Sequence, residues 1–210
     1  MLSRFFNSSL FDGLNKIVDV FLLGLYFIVC SIPIFTIGAS FTALYYSVHK
    51  VIYQGRGYTT EFFHSFKDNF KQATLSWLIF LAAGGILVGD IYITRVVIDS
   101  SEKISNMWVV FTIMLIFMII WALYHFTYMA RFENGFKATF KISGAIAVLH
   151  FAYSIIIALI TAVFALFSYL LPVLFIFVPA LYVVCVHPIF EKIYRQYMTD
   201  EDKAMEDSYK

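Results

Sequence analysis

From Ile142 to Phe190 the chain runs for 49 residues without one Asp, Glu, Lys or Arg. As a single helix, at about 1.5 Å per residue, that run would measure ~73 Å, more than twice the ~30 Å hydrocarbon core of a bilayer. It must fold back on itself, and Pro172 with the neighbouring Ser168 marks the expected turn. A second uncharged run, Val20–Val48, has 29 residues: too long for one upright span and too short for two. Pro33 and Gly38 interrupt it midway. Composition agrees, with 61% hydrophobic and 14% charged residues, against about 45–50% and 25% in soluble chains. A water-soluble globule of 210 residues has no means of hiding that much apolar surface. A soluble enzyme and a chain disordered as a whole are excluded, and a formal net charge of +1 leaves no basic footprint for nucleic acid.

About 20 apolar residues suffice for one crossing. The pattern predicts five, at about 17–37, 73–94, 107–130, 144–168 and 173–190. Within Val20–Val48 the break is expected to follow the first span, leaving an interfacial helix over about 40–53; a re-entrant hairpin over 17–50 is the alternative. The fold class is all-α, a polytopic transmembrane helix bundle with one or two amphipathic interfacial helices. Residues 1–197 form a single transmembrane domain, and 198–210 an acidic tail expected to fray into the cytosol. The first apolar run is too long for a removable signal peptide, so the chain is read as mature. Cys30 and Cys185 sit in apolar runs without CxxC spacing, which predicts free buried thiols.

Five crossings put the termini on opposite sides. Eleven of the 15 basic residues, among them Lys50, Lys67, Arg131 and Lys192, then share one side, which is expected to be cytoplasmic. The N-terminus is expected outside and the C-terminus inside a multi-pass plasma-membrane protein. A re-entrant first segment would bring the N-terminus inside as well.

Thr60–Lys71 is the most informative stretch between spans. Phe62, Phe66 and Phe70 recur every four residues and Phe63 widens the stripe, while the charges fall elsewhere around the helix. Thr59 or Thr60 can cap its start. The stretch, about 60–72, reads as an amphipathic surface helix: either an elbow seating the next span in the headgroups or a docking ridge for a partner. Asp90 is the one acid well inside a predicted span, where carboxylates often mark pathways; an Arg95-paired or snorkelling role is the plainer reading. His125, His150 and His187 fall near the same predicted depth, yet no HxxxH or HExxH spacing demands that they converge, and no metal site is expected. Gly85 and Gly89 form a GxxxG, which permits close helix approach. No phosphate loop, nucleophile elbow or carboxylate pair is present, so no catalytic residues and no cofactor are expected.

Ile32-Pro-Ile-Phe-Thr-Ile-Gly-Ala-Ser-Phe-Thr-Ala-Leu-Tyr45 and Phe63-x-Ser-Phe-Lys-x-Asn-Phe-Lys-Gln-Ala73 resemble the N-terminal signature of the YesL-like bacterial membrane proteins. Tyr128-Met-Ala-Arg-Phe-Glu133 and Phe190-Glu-Lys-Ile-Tyr194 are similar to the same family, and Pro33, Thr36, Gly38, Asn69 and Arg131 are its pattern positions here. The resemblance implies an integral membrane protein of unknown activity, mostly from Gram-positive bacteria. It also implies an origin beside carbohydrate ABC importers, glycoside hydrolases and two-component sensors.

The expectation is therefore a non-enzymatic accessory or regulatory subunit of a carbohydrate ABC importer. Its partners would be the lipid bilayer and importer permease subunits, met through Phe62, Phe63, Phe66, Phe70, Arg131 and Glu133. A stand-alone sugar transporter is the first alternative, with Asp90, Tyr26 and Trp121 as its polar path. A sensor linked to a two-component system is the second.

Overall fold

The structure, a computed structural model, describes residues 18–52, 58–97, 107–171 and 176–208. Every regular element among them is helical: α1 (Val18–Ser31), α2 (Ile37–Ile52), α3 (Tyr58–Tyr92), α4 (Trp108–Arg131), α5 (Phe136–Leu149), α6 (Phe151–Leu170), α7 (Val178–Tyr194) and α8 (Asp200–Asp207). A 3-10 turn, Ile34–Thr36, leads into α2, and a π turn, Ile93–Val97, ends α3. Three helical stretches are long and apolar enough to cross a membrane: Thr60–Val96, Trp108–Arg131 and Phe151–Leu170. Their outer faces leave residues such as Ile113, Leu159 and Leu166 exposed, as a lipid-facing surface requires.

The predicted span at 107–130 coincides with α4. Elsewhere the boundaries differ. The expected surface helix at 60–72 and the expected span at 73–94 are one continuous helix, α3, because no Gly or Pro separates them. The long uncharged run breaks at His150, between α5 and α6, rather than continuing from 144 as one helix. There the Ser154 hydroxyl donates to the carbonyl of Ala147 at 2.8 Å and bridges the break. The turn expected at Pro172 falls outside the described residues. Helices α6 and α7 nonetheless lie antiparallel, with Phe164 packed on Tyr182 and Tyr153 under Lys192.

The interfacial helix expected at about 40–53 is instead the centre of the bundle. The break comes earlier, at Ile32-Pro33, where the Thr36 hydroxyl reaches the carbonyls of Cys30 and Pro33, each at 2.6 Å. Helix α2 then runs with Ala39, Ala43, Leu44, Tyr45 and Val48 all fully buried, packed by α3, α4 and α7. Small and hydroxyl side chains make this possible. Ser40, Thr42 and Ser47 return their hydroxyls to carbonyls four residues back, leaving no polar group unmet and no bulk in the way. At Gly38 a Cβ would lie 2.7 Å from both Phe126 and Trp77. This glycine, rather than Gly85 or Gly89, marks a tight helix crossing. Nothing lies within 4 Å of where a Cβ would sit at Gly85 or Gly89.

The acidic tail also departs from expectation. Thr199 caps α8 by accepting the amide of Asp202 at 3.2 Å, and Asp200, Glu201 and Asp202 lie at the positive end of its dipole. Ion pairs from Glu206 to Arg131 and from Asp207 to Arg195 hold the helix against the bundle. Cys30 is half-buried and Cys185 is exposed, so neither is the buried thiol the apolar surroundings suggested.

Candidate functional site

One end of the bundle gathers the ends of three helices around a buried carboxylate. Glu191, on the last turn of α7, points one oxygen, Oε1, at two partners. The Tyr45 hydroxyl of α2 donates to it at 2.9 Å, and Arg131 Nε, at the end of α4, lies 2.9 Å away. Arg131 also pairs through Nη2 with Glu206 of α8, so one guanidinium serves two carboxylates. The second oxygen of Glu191, Oε2, is buried with no hydrogen-bond partner among the described residues.

Two histidines complete the cluster. His49, in the last turn of α2, and His187, one turn before Glu191 on α7, approach with Nδ1 and Nε2 2.9 Å apart. The rings lie against each other, with centroids 5.1 Å apart. From Glu191 Oε1, His49 Nδ1 is 3.8 Å away and His187 Nε2 is 3.7 Å away. Glu206 reaches the opposite nitrogen of His49 at 3.4 Å. Burial, together with the positive charge of Arg131, pushes His49 down to about 2, which keeps the imidazole neutral. Neutral imidazoles beside carboxylates offer lone pairs to a cation or carry a proton between them.

A second feature lies on the flank of this end. A cleft of about 340 Å³ opens between the start of α3 and the turn joining α4 to α5. Its lining includes Tyr46, His64, Asp68, Arg131, Glu133 and Asn134. His64 and Asp68 pair across one turn at 2.9 Å. Gln72 holds the far wall by donating to the carbonyl of Asn134 and the hydroxyl of Thr139, each at 3.2 Å.

The residues singled out from sequence are distributed unevenly around these features. Arg131 belongs to both, and Glu133 is exposed at the cleft. The Phe stripe does not form one ridge. Phe62 is fully buried against Tyr26, Phe66 and Phe70 are half-buried, and Phe63 is exposed. Phe62 is therefore core, with no surface to offer a partner. The proposed polar path does not assemble in one place. Tyr26 packs on Phe62 and Phe63, whereas Trp121 donates to the Ser143 hydroxyl at 3.3 Å between α4 and α5. Arg95 lies over the Trp108 ring at 5.0 Å, not in a salt bridge with Asp90.

The three histidines weighed together separate as well. His125 bonds Ser76 and Ser143, His150 bonds Tyr197, and only His187 enters the ionic cluster. Its partner there is His49, which no spacing signalled, because the two lie 138 positions apart. The available hint was a histidine one residue before Lys50 at the end of an apolar run. The family-pattern positions have local reasons of their own. Thr36 closes the Pro33 bend, Gly38 admits its neighbours, and Asn69 donates to the Ser65 carbonyl at 3.1 Å.

These features define an all-helical protein with membrane helices and a buried ionic cluster at one end. The sequence profile of the family described as "Protein of unknown function, DUF624" matches residues 20–91. The YesL-like proteins belong to that family, so the profile match and the resemblance read from the sequence agree over this segment. No curated protein matches the chain, and no solved structure does.

Proposed function

We propose that the chain is a non-enzymatic, multi-pass plasma-membrane protein that serves as an accessory or regulatory subunit of a carbohydrate ABC importer. In this reading α1 and α7 are crossings beyond the three long helices, and the ionic end faces the cytoplasm. The observation that carries the reading is the 340 Å³ cleft between α3 and the α4–α5 turn. It presents His64, Asp68, Arg131 and Glu133 side by side, a mixed-charge concavity suited to a polar segment of a neighbouring protein. The excess of basic residues expected on this side supports a cytoplasmic face. The importer itself comes from the resemblance to YesL-like proteins.

The test is affinity capture of the tagged protein from its native membrane in mild detergent, read by mass spectrometry. An importer permease is expected in near-equal amount, and Glu133→Lys with Asp68→Lys is expected to release it. Recovery of the chain alone, or only with itself, overturns the reading and moves a stand-alone transporter to the front. The sensor reading draws on one different observation, the docking of α8 on Arg131. Removal of residues after Tyr197 would then alter signalling at unchanged protein level.

A further inference from the structure

We propose that His49, His187 and Glu191 form a binding site for a borderline divalent transition ion of the Zn²⁺ class, closed on its outer side by Glu206. The inference goes beyond the importer reading and does not depend on it.

The geometry supplies the first argument. The three facing ligand atoms are 2.9, 3.8 and 3.7 Å apart. A tetrahedral ion with bonds of about 2.0–2.2 Å spaces its ligand atoms about 3.3–3.6 Å apart. Adjustments of about half an ångström bring all three to bonding distance. A shift of that size lies within small rotations of the two rings and the carboxylate.

Chemistry supplies the second. Two imidazoles with a carboxylate suit Zn²⁺ and its neighbours, whereas Ca²⁺ and Mg²⁺ prefer all-oxygen shells. The hydrogen bond between the rings uses the same two nitrogens that would face the ion, so the ion replaces it. Glu191 Oε1, the carboxylate oxygen that lies 3.8 and 3.7 Å from the two facing nitrogens, is the ligand atom, and Tyr45 and Arg131 already hold it in place. Those two contacts then orient the ligand from behind, as outer partners do in metal sites.

Electrostatics supplies the third. Glu191 and Glu206 both lean on Arg131, so two buried carboxylates share one guanidinium. Two carboxylates against one guanidinium leave one negative charge, which draws a cation toward the neutral imidazoles. Bound there, it would join α2 to α7, with Glu206 of α8 as the acceptor for the outer nitrogen of His49 and water completing the shell.

The experiment uses the full chain purified in detergent, stripped with chelator and titrated with Zn²⁺, alongside a Co²⁺ spectrum. One Zn²⁺ per chain is expected, with the intense visible bands of four-coordinate Co²⁺ and a rise in Tm from binding to the folded state. His49→Gln and His187→Gln are each expected to weaken binding by about 100-fold or more, and Glu191→Gln by at least about 10-fold. His64→Gln, at the exposed His64–Asp68 pair, leaves it unchanged. Absence of Zn²⁺ uptake by the wild-type chain overturns the proposal, as does equal loss in His64→Gln and His49→Gln. If the variants do not fold, the wild-type Co²⁺ spectrum decides: weak bands of a six-coordinate, water-rich ion overturn it. Importer capture can fail while Zn²⁺ binding stands, so the two readings fall separately.

Discussion

The Tyr45 hydroxyl donates to Glu191 Oε1 at 2.9 Å across 146 positions of sequence, tying the central helix α2 to the last turn of α7. The same oxygen faces Arg131 of α4. Three helices are thereby closed at one end by a single carboxylate. Stability and whatever chemistry the site performs are coupled through it.

Arg131→Ala removes the cation from two buried carboxylates and is expected to destabilise the fold by about 3–5 kcal/mol, the cost of leaving a buried charge uncompensated. Graded SDS unfolding in mixed micelles reads this directly. Arg131→Lys restores only part, because a point charge cannot span Glu191 and Glu206 as a guanidinium does. Wild-type stability in Arg131→Ala would show that the cluster does not hold the helices together.

Gly38→Ala is expected to cost about 1–3 kcal/mol through overpacking, since Phe126, Trp77 and the Ala73 carbonyl already occupy the space. Gly85→Ala and Gly89→Ala meet open space and should stay within about 0.5 kcal/mol of wild type. Matched thermal unfolding of the three variants makes the comparison. The reverse order would place the tighter crossing at the GxxxG.

Phe62→Ala opens a cavity beneath Tyr26 and should lose about 3–5 kcal/mol. Phe63, on the exposed side of the same turn, should tolerate alanine with far less loss. If the two cost the same, the stripe is not divided between core and surface.

Removal of residues 198–210 takes away Glu206 and Asp207 together. The half-exposed Asp207 pair contributes little under solvent screening, so Asp207→Asn alone is expected to leave Tm unchanged. Glu206 sits against Arg131 with only 15% of its side chain exposed, and Glu206→Gln should account for most of the truncation's effect on Tm. Equal losses in Asp207→Asn and Glu206→Gln would place the anchor of α8 elsewhere.

Hydropathy alone determined the class of this protein. Runs without charge, far longer than one membrane thickness, admit only helices that shield their own backbone polar groups, and the bounds of α4 were legible within a residue. The bend at Pro33 and the role of Arg131 as more than a surface charge were partly legible, because proline and a lone cation ending a span carry local meaning. Only the tertiary structure decided that α2 is the centre of the bundle and not its rim. An apolar scale measures transfer out of water, and lipid and protein interior satisfy it equally. It likewise decided that His49 meets His187 and that an acidic tail folds into α8. Those outcomes depend on partners contributed by distant segments, whose positions are set by close packing at Gly38 and by Arg131, and neither leaves a periodicity in the sequence around the residues concerned.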